Sequence, residues 1–175
     1  RITESEKLQH LTYYFNGGSE FEDPCEQRVV VPSLKKMSLE ISPEMSAFKV
    51  TDKLLQAIDS DANDIFVVNL AAADMVAHTG SLSKTIESVQ FLDTCLGGII
   101  EKIQEVNGVA VITSDHGNIE EMTNLVNGLP NNAHTVNPVP FHLIDDENDV
   151  SLRSDGALED VAPTILGILG LEKPA

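Results

Sequence analysis

The 175-residue chain is poor in the features that would place it outside the ordinary globular enzymes. It has two cysteines, Cys25 and Cys95, far apart and outside any Cys-x-x-Cys frame. That spacing shows no cysteine metal motif, a disulfide is not expected in a cytosolic protein, and the expectation is two free thiols with Cys95 in a helix core. Basic residues are scarce: 11 Lys and Arg stand against 28 Asp and Glu, a formal charge of -17. A surface of that sign repels a phosphate backbone, so nucleic acid is not expected as a partner. No apolar run approaches the length of a membrane span. The opening Arg1-Ile2-Thr3-Glu4-Ser5-Glu6-Lys7 is not a signal peptide, so a cytoplasmic location is expected. Internal repeats, low-complexity tracts and interdomain linkers are also lacking. With Arg1 in place of a start methionine and an end at Lys173-Pro174-Ala175, the expectation is a piece of a larger protein.

What is present reads as one domain with a sizeable core. Hydrophobic residues make up 42% and charged residues 22%, a globular balance. Thr3 to Gln9 has a capping-box start and is expected as a short helix. Leu11 to Phe15, rich in aromatic and β-branched residues, is expected as a strand broken by Asn16-Gly17-Gly18. An acidic loop over Ser19 to Gln27 leads to a short strand, Arg28 to Val31, and a connector over Ser33 to Pro43. A helix is expected over Ser46 to Asp59, with Phe48, Leu54, Leu55 and Ile58 on its apolar side. Asp64 to Leu70 reads as a fully buried strand. The longest helix, Ser83 to Glu105, carries Ile86, Val89, Leu92, Leu96, Ile99 and Ile103 at three- or four-residue spacing, with Gly108 as its stop. Val109 to Thr113 and Pro140 to Ile144 are expected strands, separated by a helical turn over Asn118 to Thr123 and a long loop over Asn127 to Pro138. An acidic loop over Asp145 to Asp155 precedes a last helix, Asp160 to Leu169, ended by Gly170. Strands alternating with helices predict an α/β layered fold with a largely parallel sheet.

The chemistry gathers in three loops. Thr113-Ser114-Asp115-His116-Gly117-Asn118 follows an apolar strand, and its Asp-His pair stands at the carboxyl end, where open α/β sheets bind ligands. Gly117 would let backbone approach closely, and Asn118 would orient a ligand or cap the next turn. Asp74 to Gly80 and Ala133-His134-Thr135 carry the other donors. Asp74 and His78, four apart, also fit a simple surface pair on a helix, and Asp115 also fits a helix cap. Taken together, Asp74, His78, Asp115, His116 and His134 suit one divalent metal fully or two metals in part. A two-metal pair clamps a phosphoryl group and activates an attacking oxygen. His10 and His142 are expected to be structural. A nucleophile in convincing context is missing; Ser81, Ser83 and Ser114 qualify by position alone.

These stretches resemble the cofactor-independent (2,3-bisphosphoglycerate-independent) phosphoglycerate mutases of the alkaline phosphatase superfamily along nearly the whole chain. Glu4-Ser5-Glu6-Lys7, Tyr14-Phe15-Asn16-Gly17-Gly18, Pro43-Glu44-Met45-Ser46-Ala47, Asp74 to Gly80, Asp115 to Asn118, Ala133 to Phe141, Gly156-Ala157-Leu158 and Ala162 to Leu166 carry the resemblance in order. It implies a three-layer αβα fold of alkaline-phosphatase type, incomplete in this chain. It implies an isomerase that interconverts 3-phosphoglycerate and 2-phosphoglycerate in glycolysis and gluconeogenesis through a phosphoserine. Two divalent ions are implied, Mn²⁺ first, with Zn²⁺, Co²⁺ or Fe²⁺ as alternatives. Asp74, His78 and His134 would hold one and Asp115 and His116 the other. Lys7 would contact the transferring phosphoryl group.

The family's serine nucleophile, one metal-binding Asp and its glycerate-binding domain have no counterpart here. Residues 1–175 are therefore expected to be the C-terminal portion of the phosphatase-like domain, inactive alone, within a monomeric parent. Missing strands would leave a sheet edge or face exposed. Ala77 stands where the family has Gly, and Ala72-Ala73 where it has Asn-Pro. Ala77 is harmless if helical and costly if φ is positive. Remaining alternatives are another metal-dependent phosphatase or phosphomutase, or a non-catalytic binding module if the short chain is the natural product.

Overall fold

The computed structural model describes residues 1–34, 39, 41–124, 127–148 and 150–174. Parts of the expected 33–43 connector and 145–155 acidic loop lie outside the described residues. The described chain is a mixed α/β structure. Strand β1 (Ile2–Glu4) and β2 (Val29–Val31) pair in parallel, with Ile2 opposite Val29 and Glu4 opposite Val31. On the other side of β1, Ile2 bridges Val68 in parallel; its N–H donates to the Val67 carbonyl at 2.9 Å, and its carbonyl accepts the Asn69 N–H at 3.1 Å. Helix α1 (Ala47–Asp59), the short α2 (Ala72–Ala77) and the long α3 (Leu82–Glu105) follow. Strands β3 (Ala110–Thr113) and β4 (Phe141–Ile144) form a second pair, and α4 (Val161–Ile168) comes last.

Several expectations are corrected. The helix expected over 3–9 starts two residues late, at Ser5. Thr3 lies in β1 and is buried; Ser5–Lys7 is a 3₁₀ turn, and residues 8–9 continue it as α-helix. Leu11 to Phe15 is not a strand. His10–Tyr14 forms a π-helical turn, because β1 and β2 already pair with each other and the aromatic run meets no strand. Segment 64–70 is extended but joined to β1 by a single bridge, and Ile65 is exposed. A buried strand needs partners on both edges, and among the described residues only β1 meets this one. The parallel pairing expected of the sheet holds around β1. By contrast β3 and β4 are antiparallel, with Ala110 opposite Ile144 and Thr113 opposite Phe141. The sheets are small, with two strands each.

Two apolar clusters hold these elements. Ile2, Val31, Val50, Leu54, Ile58 and Ile99 join β1 and β2 to α1 and α3, with Phe66, Val68 and Ile103 against them. Met45, Ala47, Ala72, Val76 and Cys95 form the second, with Met75 and Leu92 at its side, and Leu70 touches both. Ala47, Ala72 and Ala77 are wholly buried, and such small residues let helices approach closely. Cys95 is buried and free, and Cys25 is exposed and free, as expected.

In α3 the buried face is Thr85, Ser88, Cys95 and Ile99. Ile86 is 52% exposed and Val89 38%, so the first turns of the expected stripe face outward. The later residues of the stripe do face inward: Leu92 packs against the second cluster, Ile99 is buried in the first and Ile103 packs against it. α3 ends at Glu105 as expected, but the left-handed residue after it is Asn107 in place of Gly108. Asn107 takes the left-handed conformation (φ 52°), and the Gly108 N–H donates back to the Ile103 carbonyl at 2.8 Å. On α1, Phe48 is exposed while Leu54 and Ile58 are buried. Gly170 follows α4 at φ 67°, as its position as a stop predicts.

Candidate metal centre

The site lies where three extended segments end. β1 runs into the 3₁₀ turn that ends in Lys7, segment 65–70 runs into α2 with Asp74 in its first turn, and β3 runs into Asp115-His116. These are carboxyl ends, the side on which open α/β sheets place ligands. α2 is short enough that its C-cap is His78, so Asp74 and His78 share a face one turn apart. His134 arrives from the long loop between β3 and β4.

Asp74, His78 and His134 converge. Asp74 Oδ1 is 3.2 Å from His78 Nε2 and 3.2 Å from His134 Nε2, and the two Nε2 atoms are 3.1 Å apart. Among the described residues they form the one group of three or more His, Cys, Asp or Glu side chains whose donor atoms all lie within 4.8 Å of one another. The donor set fits a divalent cation. The three donor atoms are close enough together for one divalent cation to be held by all of them. A carboxylate with two imidazoles also suits the borderline metals. The simple i,i+4 surface pair does not account for His134, which comes from 56 residues further on.

The surroundings fix the donors. Asn132 clamps His78 at two points. Its carbonyl is 2.8 Å from His78 Nδ1, and its Nδ2 donates to the His78 carbonyl at 3.3 Å. With a carbonyl on one side, Nδ1 carries the proton and Nε2 keeps its lone pair for the centre. Lys7, 9% exposed, donates from Nζ to Asp74 Oδ2 at 2.7 Å, and Asn118 Nδ2 donates to Asp74 Oδ1 at 3.0 Å. Burial pushes the Asp74 carboxyl upward. The Lys7 hydrogen bond and charge, the Asn118 amide and His78 outweigh it, so the pKa is lowered and the carboxylate stays ionised.

Asp115 and His116 stand beside this group without joining it. His116 Nε2 is 3.6 Å from Asp115 Oδ1, and the His116 ring stacks on His134 with centroids 3.6 Å apart at 17°. Of the two roles expected of it, Asn118 takes one: its amide orients Asp74, and at the N-cap position of the 3₁₀ turn Ile119–Glu121 its side chain makes no capping bond. Gly117 permits the close approach. A Cβ there would fall 2.6 Å from Glu120 Oε1 and deep inside the contact radius of Thr135 Oγ1. Ala77 is helical and wholly buried, so no positive φ is forced on it, and Ala72-Ala73 starts α2 without distortion.

Of the three serines, Ser114 Oγ donates to the His116 carbonyl at 2.9 Å, while Ser81 and Ser83 face each other at 3.5 Å at the start of α3. His142 is exposed on β4. His10 is half-buried, edge-on to Tyr14 at 5.6 Å, with Nδ1 buried and unpartnered; burial, then Lys7, lowers its pKa. Three supporting residues escaped the sequence analysis: Asn132, Glu120 and Glu4. Glu4 is wholly buried and accepts the Ser46 N–H at 3.1 Å, tying the Glu4–Lys7 motif to the 43–47 motif. Its position beside Lys7 in that motif was the available signal.

The Metalloenzyme superfamily profile matches residues 1–173. The chain belongs to the metalloenzyme superfamily. Within that superfamily it is homologous to the 2,3-bisphosphoglycerate-independent phosphoglycerate mutases. It is 46% identical to that of Pseudomonas fluorescens over 175 residues, covering 100% of this chain and 34% of the relative. With that of Clostridium acetobutylicum it shares 45% over 174 residues, again 34% of the relative. A crystal structure of Leishmania mexicana phosphoglycerate mutase at low cobalt concentration superposes with a TM-score of 0.89 and 31% identity, covering 98% of this chain and 34% of that one. The chain thus spans about a third of the length of the curated relatives it matches. Among the described residues no helix is long and apolar enough to cross a membrane.

Proposed function

We propose that this metalloenzyme-superfamily chain is the metal-binding C-terminal portion of a cofactor-independent phosphoglycerate mutase. Asp74, His78 and His134 hold one divalent ion, Mn²⁺ first among the candidates, and Asp115 and His116 contribute to a second. The single observation that carries this reading is the triangle of Asp74 Oδ1, His78 Nε2 and His134 Nε2, with edges of 3.1–3.2 Å. The substrate is 3-phosphoglycerate or 2-phosphoglycerate, transferred through a phosphoserine on a residue outside this chain. When bound, the ions supply Lewis acidity at the transferring phosphoryl group.

The chain's own residues do the rest. Asp74, kept ionised by Lys7 and Asn118, supplies negative charge to the centre at neutral pH. Lys7 has three N–H donors, one on Asp74, and offers the others to the phosphoryl oxygens. Asn132 holds His78 in the tautomer that presents Nε2. The half-exposed His78 and His134 imply that cover against water comes from the rest of the enzyme, whose strands also complete a three-layer sheet sandwich. The intact protein is then a monomeric cytoplasmic enzyme, and this chain alone does not turn over substrate.

The test has two parts. Calorimetric titration of the chain with Mn²⁺ is expected to show binding that Asp74→Ala abolishes and Asp115→Ala weakens. Absence of binding at millimolar Mn²⁺ overturns the centre. In a protein of the relatives' full length, 3-phosphoglycerate is expected to be isomerised. Release of inorganic phosphate alone would make it a phosphatase instead.

A further inference from the structure

We infer that Glu120 is a positioning residue: its carboxylate latches the 134–137 loop to the 117–121 turn and so sets His134 against Asp74 and His78. The inference deepens the reading of the metal centre and rests on it for the identity of what His134 binds. Among the described residues no hydrogen bond joins Glu120 to Asp74, His78 or His134, so its role is indirect.

Every hydrogen-bond partner of the Glu120 carboxylate is a donor. Oε1 accepts from the Thr135 hydroxyl and from Asn137 Nδ2 at 2.9 Å, and Oε2 accepts from the Asn118 N–H at 2.7 Å. The backbone runs alongside: the Thr135 N–H donates to the Gly117 carbonyl at 2.8 Å, an isolated antiparallel bridge between the two loops. One side chain therefore grips the residue after His134, the residue three after it, and Asn118, whose own amide holds Asp74. Gly117 is required by the same latch, because a Cβ would collide with both of its halves. On the far side of His134 the loop is held by Asn131 on Glu121 and Met122 and by Asn132 on His78, and Asn137 Nδ2 also reaches Glu121 Oε2 at 3.3 Å; the Glu120 carboxylate is the side chain that ties down Thr135, the residue next to His134. His134 sits in an exposed run without helix or strand, stacked on His116. A carboxylate is the one side chain of this length with acceptors on both arms. Gln would turn one arm into a donor facing a donor, and Asp is too short. Consistent with three inward donors, the Thr135 hydroxyl above all holds the Glu120 carboxyl down to about 2, so the latch stays charged at any neutral pH.

The test uses two independent readouts on Glu120→Gln, Thr135→Val and Thr135→Ser. The first is the proton shift of the His134 imidazole by NMR in chelator, which reports ring-current stacking on His116 and needs no metal. The second is Co²⁺ affinity, read from the visible absorption of the bound ion, in the native and His134→Ala backgrounds. The latch predicts that Glu120→Gln and Thr135→Val move the His134 shift to the value of free histidine, with the melting temperature of the metal-free chain held. Thr135→Ser, which keeps the hydroxyl, retains the native shift. Co²⁺ affinity is expected to fall about 10–100-fold in Glu120→Gln, the usual effect of losing an outer support, and to be insensitive to Glu120 once His134 is Ala. An unchanged His134 shift in both Glu120→Gln and Thr135→Val overturns the latch. An equal loss of affinity in both backgrounds also overturns it, since the effect would not pass through His134. A lost shift in a chain whose native form binds no Co²⁺ leaves the latch standing and removes the metal reading alone.

Discussion

Replacing Lys7 with Met tests the electrostatics of the site without leaving a hole. The two side chains are of similar length, so what is lost is the ammonium 2.7 Å from Asp74 Oδ2. Breaking a fully buried ion pair by removing one partner costs about 3–5 kcal/mol. Here 11% of the Lys7 side chain and 18% of the Asp74 side chain remain accessible, so water screens part of that and about 1–3 kcal/mol is expected. The loss must depend on pH in one direction. The Asp74 pKa is lowered in the folded chain. Its contribution is therefore complete above the unfolded carboxylate value of about 3.9 and disappears as pH falls through the folded value. Urea unfolding followed by circular dichroism, in chelator, is the assay. The gap between native and Lys7→Met chains is expected to be widest at pH 7 and to close as pH falls through the lowered folded value, where both carry a protonated Asp74. A gap that does not narrow as pH falls below the unfolded carboxylate value would refute the ion-pair account and leave packing as the reason.

Three further changes probe other parts of the structure. Gly117→Ala places a Cβ against Glu120 and Thr135 and is expected to cost about 1–3 kcal/mol by overpacking, measured by denaturant midpoint. Ala77→Gly, which restores the residue of the resembled family, is expected to destabilise by about 1 kcal/mol, because Ala77 is helical and buried; a stabilised variant would mean that the position is strained. Leu54→Ala, at 4% exposure in the main cluster, is expected to cost about 2–5 kcal/mol, whereas Ile86→Ser, on the outward face of α3, stays within about 0.5 kcal/mol in the same unfolding assay.

The residues differ in how far their surroundings could be foreseen. α1, α3 and α4 were legible because their apolar periodicity runs over eight residues or more, and Asp115-His116 because a β-branched run leads straight into it. The start of the 3–9 helix and the whole of segment 11–15 differ from expectation for a common reason. Glu6 beside Thr3 looks like a cap, and an aromatic run looks like a strand, but both preferences are worth less than the pairing of Ile2–Glu4 with Val29–Val31 across 27 residues. Periodicity located an apolar stripe on α3 without saying which face would be covered. The small side chains at Thr85 and Ser88 decided that by admitting close neighbours. The donors of the centre could be named from residue type and loop context, yet their convergence depends on long-range placement. Asn132 and Glu120 gave no signal of their own, since an Asn in an Asn-rich loop and a Glu in an acidic turn look like solvated surface.

The most direct measurement is an anomalous difference map from crystals of the chain grown or soaked with Co²⁺. The account predicts a peak about 2.0–2.2 Å from Asp74 Oδ1, His78 Nε2 and His134 Nε2 together, with Lys7 still on Asp74 Oδ2. A well-ordered Asp74–His78–His134 triangle with no peak between its donors at millimolar Co²⁺ would contradict it.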